Sequence, residues 1–169
     1  PCNEIADGFL SDHPERSRAM LIESGNPVHS LAGSEKFRQA MRAAECTVVI
    51  DVAMTETAEQ ADWVLPASSQ YEKAEATFFS AAFPDNMFHL RPAILEPLEG
   101  TLSEPEIHSR LVQATGVLEG VDFESLRTAA EEGLQSFSEA FMNAAMENKA
   151  ITEYGAVVLY ETLGKTLPW

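Results

Sequence analysis

Two polar residues in the first third of the chain, Asn26 and Asp51, stand where ligand chemistry is expected. Each closely follows a short apolar run, and ligands of open α/β sheets bind beyond the carboxyl ends of the strands. An amide both donates and accepts hydrogen bonds, and an acid at the end of the second strand can hold a ribose hydroxyl. Simpler interpretations stay open: Ser24-Gly25-Asn26-Pro27 could be an ordinary turn, and Asp51 could cap a helix or brace a loop.

Three strands would carry these residues. Apolar and β-branched runs predict strands at Ala19–Glu23, Cys46–Ile50 and Trp63–Pro66, with Asp51 closing the second and Pro66 ending the third. The first run is typical of a strand covered on both faces. Strands that alternate with helices along the chain indicate an α/β fold with a parallel, Rossmann-like, nucleotide-binding sheet.

Turn and helix signals fill the spaces between the strands. Gly25 permits a positive φ and Pro27 fixes its own φ, which predicts a tight turn. Ser34 is predicted to N-cap a helix that ends near residue 44, and Thr57 has capping-box spacing to Gln60 at the start of a short helix. The first of these helices has one apolar face, made of Phe37, Ala40, Met41 and Ala44.

Composition excludes several classes of protein. The chain has 27 acidic and 11 basic residues and a net charge of −16, so it would repel a phosphate backbone and no nucleic-acid partner is expected. It contains neither GxGxxG nor GxxxxGK[ST], which disfavours an ordinary NAD enzyme and a P-loop NTPase. The two Cys and four His show no metal-ligand spacing. No apolar run reaches the roughly 18 residues of a membrane span and no signal peptide opens the chain, so we expect a cytoplasmic protein.

The chain beyond residue 100 is predicted to be helical. Glu104–Gly116 reads as a helix with Ile107 and Leu111 facing inward, a long amphipathic helix follows from Asp122 to about Asn148 with a weak point at Gly133, and Ile151–Leu163 reads as a buried helix. The predicted organisation is an N-terminal arm (1–18), an α/β domain (19–100) with a long loop (74–100), and a helical portion (101–169) packed on it.

Three segments in a fixed order resemble the molybdopterin oxidoreductases of the dimethyl sulfoxide reductase type. They are Gly25-Asn26-Pro27, the run from Asp51 through TETAEQADWVLP to Pro66, and Glu72-Lys73 followed by Thr77-Phe78. The resemblance extends from about Arg18 to Gly116, and TETAEQADWVLP is its most specific part. The chain departs from the family pattern in the loop Ala74–Arg91, where Ala76 stands in place of the family's glycine.

The resemblance implies a cofactor and the residues that hold it. These enzymes carry bis-molybdopterin guanine dinucleotide with molybdenum or tungsten, and many have an iron–sulfur cluster elsewhere in the chain. One guanine dinucleotide arm would be contacted by the Gly25-Asn26 turn, by Asp51 with its neighbour Ile50, by Lys73 near the pyrophosphate, and by Glu104.

The sequence therefore predicts a fragment of a molybdenum or tungsten oxidoreductase, inactive by itself, which binds one cofactor arm. It begins at Pro1 without Met, as an excised piece would. Its partners would be the remaining domains of the parent enzyme and an unknown redox protein, with the redox centre and the substrate site outside this chain. The alternative is a non-catalytic α/β module, regulatory or subunit-docking, that binds no pterin; the altered loop Ala74–Arg91 and the acidic surface allow it.

Overall fold

The computed structural model describes residues 2–80 and 87–166, and the chain divides into two compact units. The α/β unit takes the residues up to 73 together with 93–102. The helical unit takes 74–92 and the residues from 103 onward. The domain boundaries predicted from the sequence stay a prediction.

The α/β unit contains the three predicted strands, β1 (Ala19–Glu23), β2 (Cys46–Asp51) and β3 (Trp63–Pro66). They form a parallel sheet in the order β1-β2-β3, with β2 in the centre. Because all three strands run in the same direction, the segments that leave their carboxyl ends emerge at one edge of the sheet. The prediction of a mixed α/β, Rossmann-like fold is confirmed.

Helices cover one face of this sheet. They are α1 (Ile5–Leu10), α2 (Pro27–Ser30), α3 (Ser34–Ala43) and a 3₁₀ turn at Ala58–Gln60. The predicted apolar face of α3 packs into the core through Phe37, Ala40 and Met41, where it meets Met20 and Val49 of the sheet together with Ala6 and Phe9 of α1. The predicted N-terminal arm thus contributes α1 to this core.

The other face of the sheet carries exposed apolar side chains. Met20 is buried among the helices, whereas Leu21, which points to the opposite face, is 52% exposed. Leu21 lies in register with Val48 and Trp63, and Trp63 is 66% exposed. The prediction that β1 is covered on both faces is therefore wrong for the chain as described, because the helices of this unit pack on one face only.

The helical unit begins with an antiparallel pair, β4 (Glu75–Ser80) and β5 (Met87–Arg91), inside the segment predicted as a long loop. Glu75 and Arg91 are cross-strand neighbours, and their side chains form an ion pair at 2.6 Å. The loop Ala74–Arg91 was predicted to differ from the family pattern, and its residues 81–86 lie outside the described part of the chain.

Five helices follow in the helical unit: α4 (Glu104–Ala114), α5 (Phe123–Glu132), α6 (Leu134–Glu147), α7 (Lys149–Glu153) and α8 (Gly155–Leu159), and the chain then makes a π-helical turn at Tyr160–Gly164. Their core contains Leu118, Leu126, Ala130, Phe137, Ile151 and Val158. Among the described residues, no helix is both long enough and apolar enough to cross a membrane.

Four helix predictions need correction. Gly33 and not Ser34 is the N-cap of α3, and Ser34 is the first helical residue. The predicted helix Ile151–Leu163 is divided among α7, α8 and the π-helical turn. The long helix from Asp122 is two helices, because Gly133 adopts a φ of 133° that breaks the helical path. In α4, Ile107 is buried as predicted but Leu111 is 40% exposed, so only part of the predicted stripe is buried. The C-terminal stop at Gly116 agrees with its φ of 75°.

A charged network joins α4, α5 and the final turn of the helical unit. The Glu161 carboxylate accepts hydrogen bonds from Ser109 Oγ at 2.5 Å and Lys165 Nζ at 2.7 Å. Lys165 Nζ also lies 2.9 Å from Glu106 Oε2, and Arg110 Nε donates to Glu106 Oε1 at 2.8 Å. The hydrogen bond from Lys165, followed by that from Arg110, lowers the pKa of Glu106 to about 2.

Glu106→Gln is expected to lower the free energy of unfolding by about 1–3 kcal/mol at neutral pH, since hydrogen bonds to a charged group are lost. The folded-state pKa of Glu106 lies below its unfolded value of 4.5, so its contribution is complete above pH 4.5 and is lost as the pH falls toward about 2. Urea titrations of both proteins at pH 7, 4.5 and 3 would measure this. A difference that does not shrink below pH 4.5 would contradict the assignment to the Glu106 carboxylate.

Candidate functional site

The predicted site residues of the α/β unit lie on three segments that follow the carboxyl ends of β1, β2 and β3. Asn26 lies on the first, Asp51 is the last residue of β2 and leads into the second, and Lys73 ends the third. A main-chain hydrogen bond connects the first segment to the end of β2: the Ser24 N–H donates to the Ile50 carbonyl at 3.0 Å. The structure thus brings the segments of Asn26 and Asp51 together.

The turn after β1 differs from its prediction in one detail. The positive φ falls on Ser24, at 51°, and not on Gly25. A Cβ on Gly25 would meet only ordinary contacts, with the Glu23 carbonyl oxygen at 3.6 Å the nearest atom. The backbone of the turn therefore does not require glycine at this position.

Asn26 N-caps α2 through its main chain, and its side chain is held from two sides. Its carbonyl oxygen accepts hydrogen bonds from the N–H groups of His29 and Ser30. Its amide Nδ2 donates to Glu56 Oε2 at 2.6 Å, and its Oδ1 accepts from the Thr57 hydroxyl at 2.8 Å. The side chain of Asn26 thus links the segment after β1 to the segment after β2.

Thr57 decides which way the Asn26 amide points. Thr57 is fully buried, and its hydroxyl oxygen accepts a hydrogen bond from the Val28 N–H at 3.1 Å. The single hydroxyl hydrogen is then available for Asn26 Oδ1, which leaves Nδ2 facing the Glu56 carboxylate. The contacts are mutually consistent, so the donor and acceptor ends of the amide are determined by the fold.

Glu56 is a half-exposed carboxylate at the same edge. The hydrogen bond from the Asn26 amide is the main cause that lowers the pKa of Glu56. His29 Nδ1 lies 3.6 Å from Glu56 Oε1, and both side chains are more than half exposed. The carboxylate is therefore charged at neutral pH and open to solvent beside a fixed amide.

Asp51 is arranged differently from Glu56. One oxygen of its carboxylate, Oδ1, accepts a hydrogen bond from the N–H of the next residue, Val52, at 2.7 Å. The residue is partly exposed, while its neighbour Ile50 is fully buried. Asp51 is thus placed at the predicted sheet edge, while the side chain of Ile50 is buried and its carbonyl is engaged by the Ser24 N–H.

The segment after β3 is braced by a buried acid. Glu72 is 8% exposed, and its carboxylate accepts hydrogen bonds from the N–H groups of Ser69 at 2.7 Å and Leu98 at 3.0 Å. The main-chain hydrogen bond from Ser69 is the first cause of a lowered pKa for Glu72. Lys73 follows directly and is partly exposed, so its place depends on how firmly Glu72 holds the loop.

Glu104, the remaining predicted site residue, belongs to the helical unit. It is the first residue of α4 and is partly exposed, with Ser103 as the N-cap. Its role stays a prediction. In residues 2–80 and 87–166, no group of three or more His, Cys, Asp or Glu side chains is arranged to hold a metal ion.

Sequence reasoning assigned Thr57 to a capping box, and this is wrong. The Thr57 side chain forms no cap at the 3₁₀ turn, because its hydroxyl is used by Asn26 and Val28. The hydroxyl of Thr55 instead accepts a hydrogen bond from the Ala58 N–H at 3.3 Å. Glu56 was not singled out as a site residue. The signal that could have found it is its place in the Thr55-Glu56-Thr57 triplet, within the most specific part of the resemblance.

Comparison with known proteins supports the resemblance. The model of the molybdopterin oxidoreductase family matches residues 7–96, a range that includes Asn26, Asp51 and Lys73 and ends before Glu104. Two relatives from Bacillus subtilis (strain 168) are each 31% identical to this chain: "Probable oxidoreductase YyaE" over 117 residues, and "Probable oxidoreductase YoaE" over 115 residues. These matches cover 69% and 68% of this chain but only 17% and 16% of the relatives. With more than half of its length matched by the family model, the chain belongs to the molybdopterin oxidoreductase family.

Proposed function

We propose that this chain is the part of a molybdenum or tungsten oxidoreductase that binds one guanine dinucleotide arm of its pterin cofactor. The observation that carries the proposal is the fixed Asn26 amide at the carboxyl edge of a parallel sheet, within the range that the family model matches. Nucleotides bind at this edge in open α/β sheets.

The residues at this edge fit such a ligand. An amide with a defined orientation can read a base, the free oxygen of the Asp51 carboxylate can accept a ribose hydroxyl, and the Lys73 ammonium can lie near a pyrophosphate. Lys73 and main-chain N–H groups would offset the net charge of −16, which otherwise opposes an anionic ligand. When bound, the metal and its pterins supply the redox chemistry of the parent enzyme.

The proposal extends to the parent protein. The relatives that this chain matches are about six times as long as the matched part. We place the redox centre, the substrate site and any iron–sulfur cluster in other parts of a parent of the dimethyl sulfoxide reductase type, in the cytoplasm. This chain alone would then be inactive, and its role would be to orient the metal by holding one end of the cofactor.

Asn26→Ala and Asp51→Ala in the full-length parent are each expected to weaken cofactor binding by about tenfold to a hundredfold, because a hydrogen bond to a charged or fixed polar group is lost. Metal content by mass spectrometry and pterin fluorescence after denaturation would report occupancy. Glu15→Ala, at an exposed acid of the same unit, is the matched control. Full occupancy in both variants, with the wild-type loaded, would reject these residue assignments.

A non-catalytic docking module is the second candidate. The exposed Leu21 and Trp63 on the sheet favour it, since parallel sheets are normally covered on both faces. The same occupancy measurement separates the two candidates. A folded full-length protein that carries neither metal nor pterin, when made in a host that synthesises the cofactor, would favour the docking module.

A further inference from the structure

The segment at the carboxyl end of β2 carries two carboxylates, Asp51 and Glu56, and the fixed amide of Asn26 is hydrogen-bonded to Glu56. Asp51 Oδ1 accepts from the adjacent Val52 N–H, so this carboxylate is partly engaged by its own loop. Glu56 instead lies beside Asn26, with Oε2 at 2.6 Å from Nδ2, and its side chain is 51% exposed. Of the two acids, Glu56 is therefore the one placed to act together with Asn26.

The pair has hydrogen-bonding capacity left over after its internal contacts. Asn26 Nδ2 carries two hydrogens, of which one points to Glu56, so a second can be donated. The Glu56 carboxylate has about four lone-pair sites, and its internal contacts are the hydrogen bonds from Asn26 and from its own main-chain N–H together with the 3.6 Å approach of His29. The edge therefore presents one fixed donor next to a charged acceptor with two oxygens.

This arrangement complements guanine and not adenine. The Watson–Crick edge of guanine carries one acceptor, O6, followed by two donors, N1–H and the N2 amino group. A donor beside a two-oxygen acceptor matches this order. Adenine presents an amino donor and an unprotonated N1, and the N1 lone pair would face the negative carboxylate.

We infer that Glu56, oriented together with Asn26 by Thr57, selects guanine over adenine at this site. The inference rests on the proposed function, since it assumes that a nucleotide binds at this edge. Asp51, at the end of the second strand, would then bind the ribose hydroxyls. A bidentate contact of this kind discriminates by about tenfold to a hundredfold between bases.

The test measures binding of guanosine diphosphate and adenosine diphosphate to the full-length parent, made in a host that does not synthesise the pterin cofactor, by calorimetry or by ligand-observed NMR. Wild-type protein is expected to bind the guanine nucleotide about tenfold to a hundredfold more tightly. In Glu56→Gln an amide N–H₂ replaces one acceptor and meets the guanine donors, so the preference is expected to disappear. Glu59→Gln is the matched control, because it removes the same charge at an exposed position three residues away and should keep the preference.

Inosine diphosphate, which lacks the N2 amino group, tests the same contact on the unmodified protein. It should bind more weakly than guanosine diphosphate to wild-type protein and equally with it to Glu56→Gln. A guanine preference retained by a folded Glu56→Gln, or equal affinities of wild-type protein for the inosine and guanine nucleotides, would overturn the role of Glu56 and leave the proposed function standing. Wild-type protein that binds none of the three nucleotides would overturn both.

Discussion

Glu161→Ala is expected to lower the free energy of unfolding of the helical unit by about 2–3 kcal/mol. The Glu161 side chain is 7% exposed, and its loss leaves the buried Ser109 hydroxyl without its carboxylate partner and opens a gap between α4 and the final turn. A fully buried ion pair that loses one partner costs about 3–5 kcal/mol. Glu161 pairs with Lys165 at 2.7 Å and with Arg127 of α5 at 3.5 Å. The smaller value applies here because both of these cations are more than a third exposed and can turn toward water.

Glu153→Ala is the matched control for Glu161→Ala. Glu153 also pairs with a lysine four residues away, Lys149, but its side chain is 50% exposed and that of Lys149 is 86% exposed. Pairs of this kind contribute about 0.3–0.5 kcal/mol. Urea unfolding followed by circular dichroism would compare the two variants. Equal losses would show that burial of the Glu161 network adds nothing to stability.

Thr57→Val is expected to lower the free energy of unfolding by about 1–3 kcal/mol. The substitution keeps the shape of the buried side chain but removes the hydroxyl, so the buried N–H of Val28 loses its acceptor. The Asn26 amide loses the hydrogen bond that orients it. We therefore expect a changed Asn26 side-chain amide signal in a ¹⁵N-correlated NMR spectrum, together with weaker binding of guanosine diphosphate.

Thr57→Ser separates the hydroxyl from the methyl group. Serine keeps the donor and the acceptor and loses one buried methyl, which costs about 0.5–1.5 kcal/mol in similar core substitutions. The Asn26 amide signal should then stay close to that of the wild-type protein. If Thr57→Ser moved this signal as far as Thr57→Val does, packing of the methyl group and not the hydroxyl would orient Asn26.

The strands of the α/β unit could be predicted from the sequence because each is a short apolar or β-branched run bounded by turn residues. The ends of β1 agree with the prediction, and β2 ends at Asp51, the acid predicted to close it. The helix breaks were harder to predict, because apolar spacing continues across Gly133 and only its backbone conformation interrupts the helix. The hairpin of β4 and β5 was missed because it lies inside a segment without a clear alternating pattern.

The candidate site, like the fold, could be predicted from the sequence only in part. Its residue types and their order along the chain were determined by the sequence alone, since Asn26, Asp51 and Lys73 follow successive strands of a sheet that the pattern predicts. The partners of Asn26 were decided only by the tertiary structure: Glu56 and Thr57 lie 30 and 31 residues further along the chain. The physical reason is that residue pattern constrains contacts within a strand or a helix turn, whereas contacts between two loops depend on how parallel strands align their carboxyl ends.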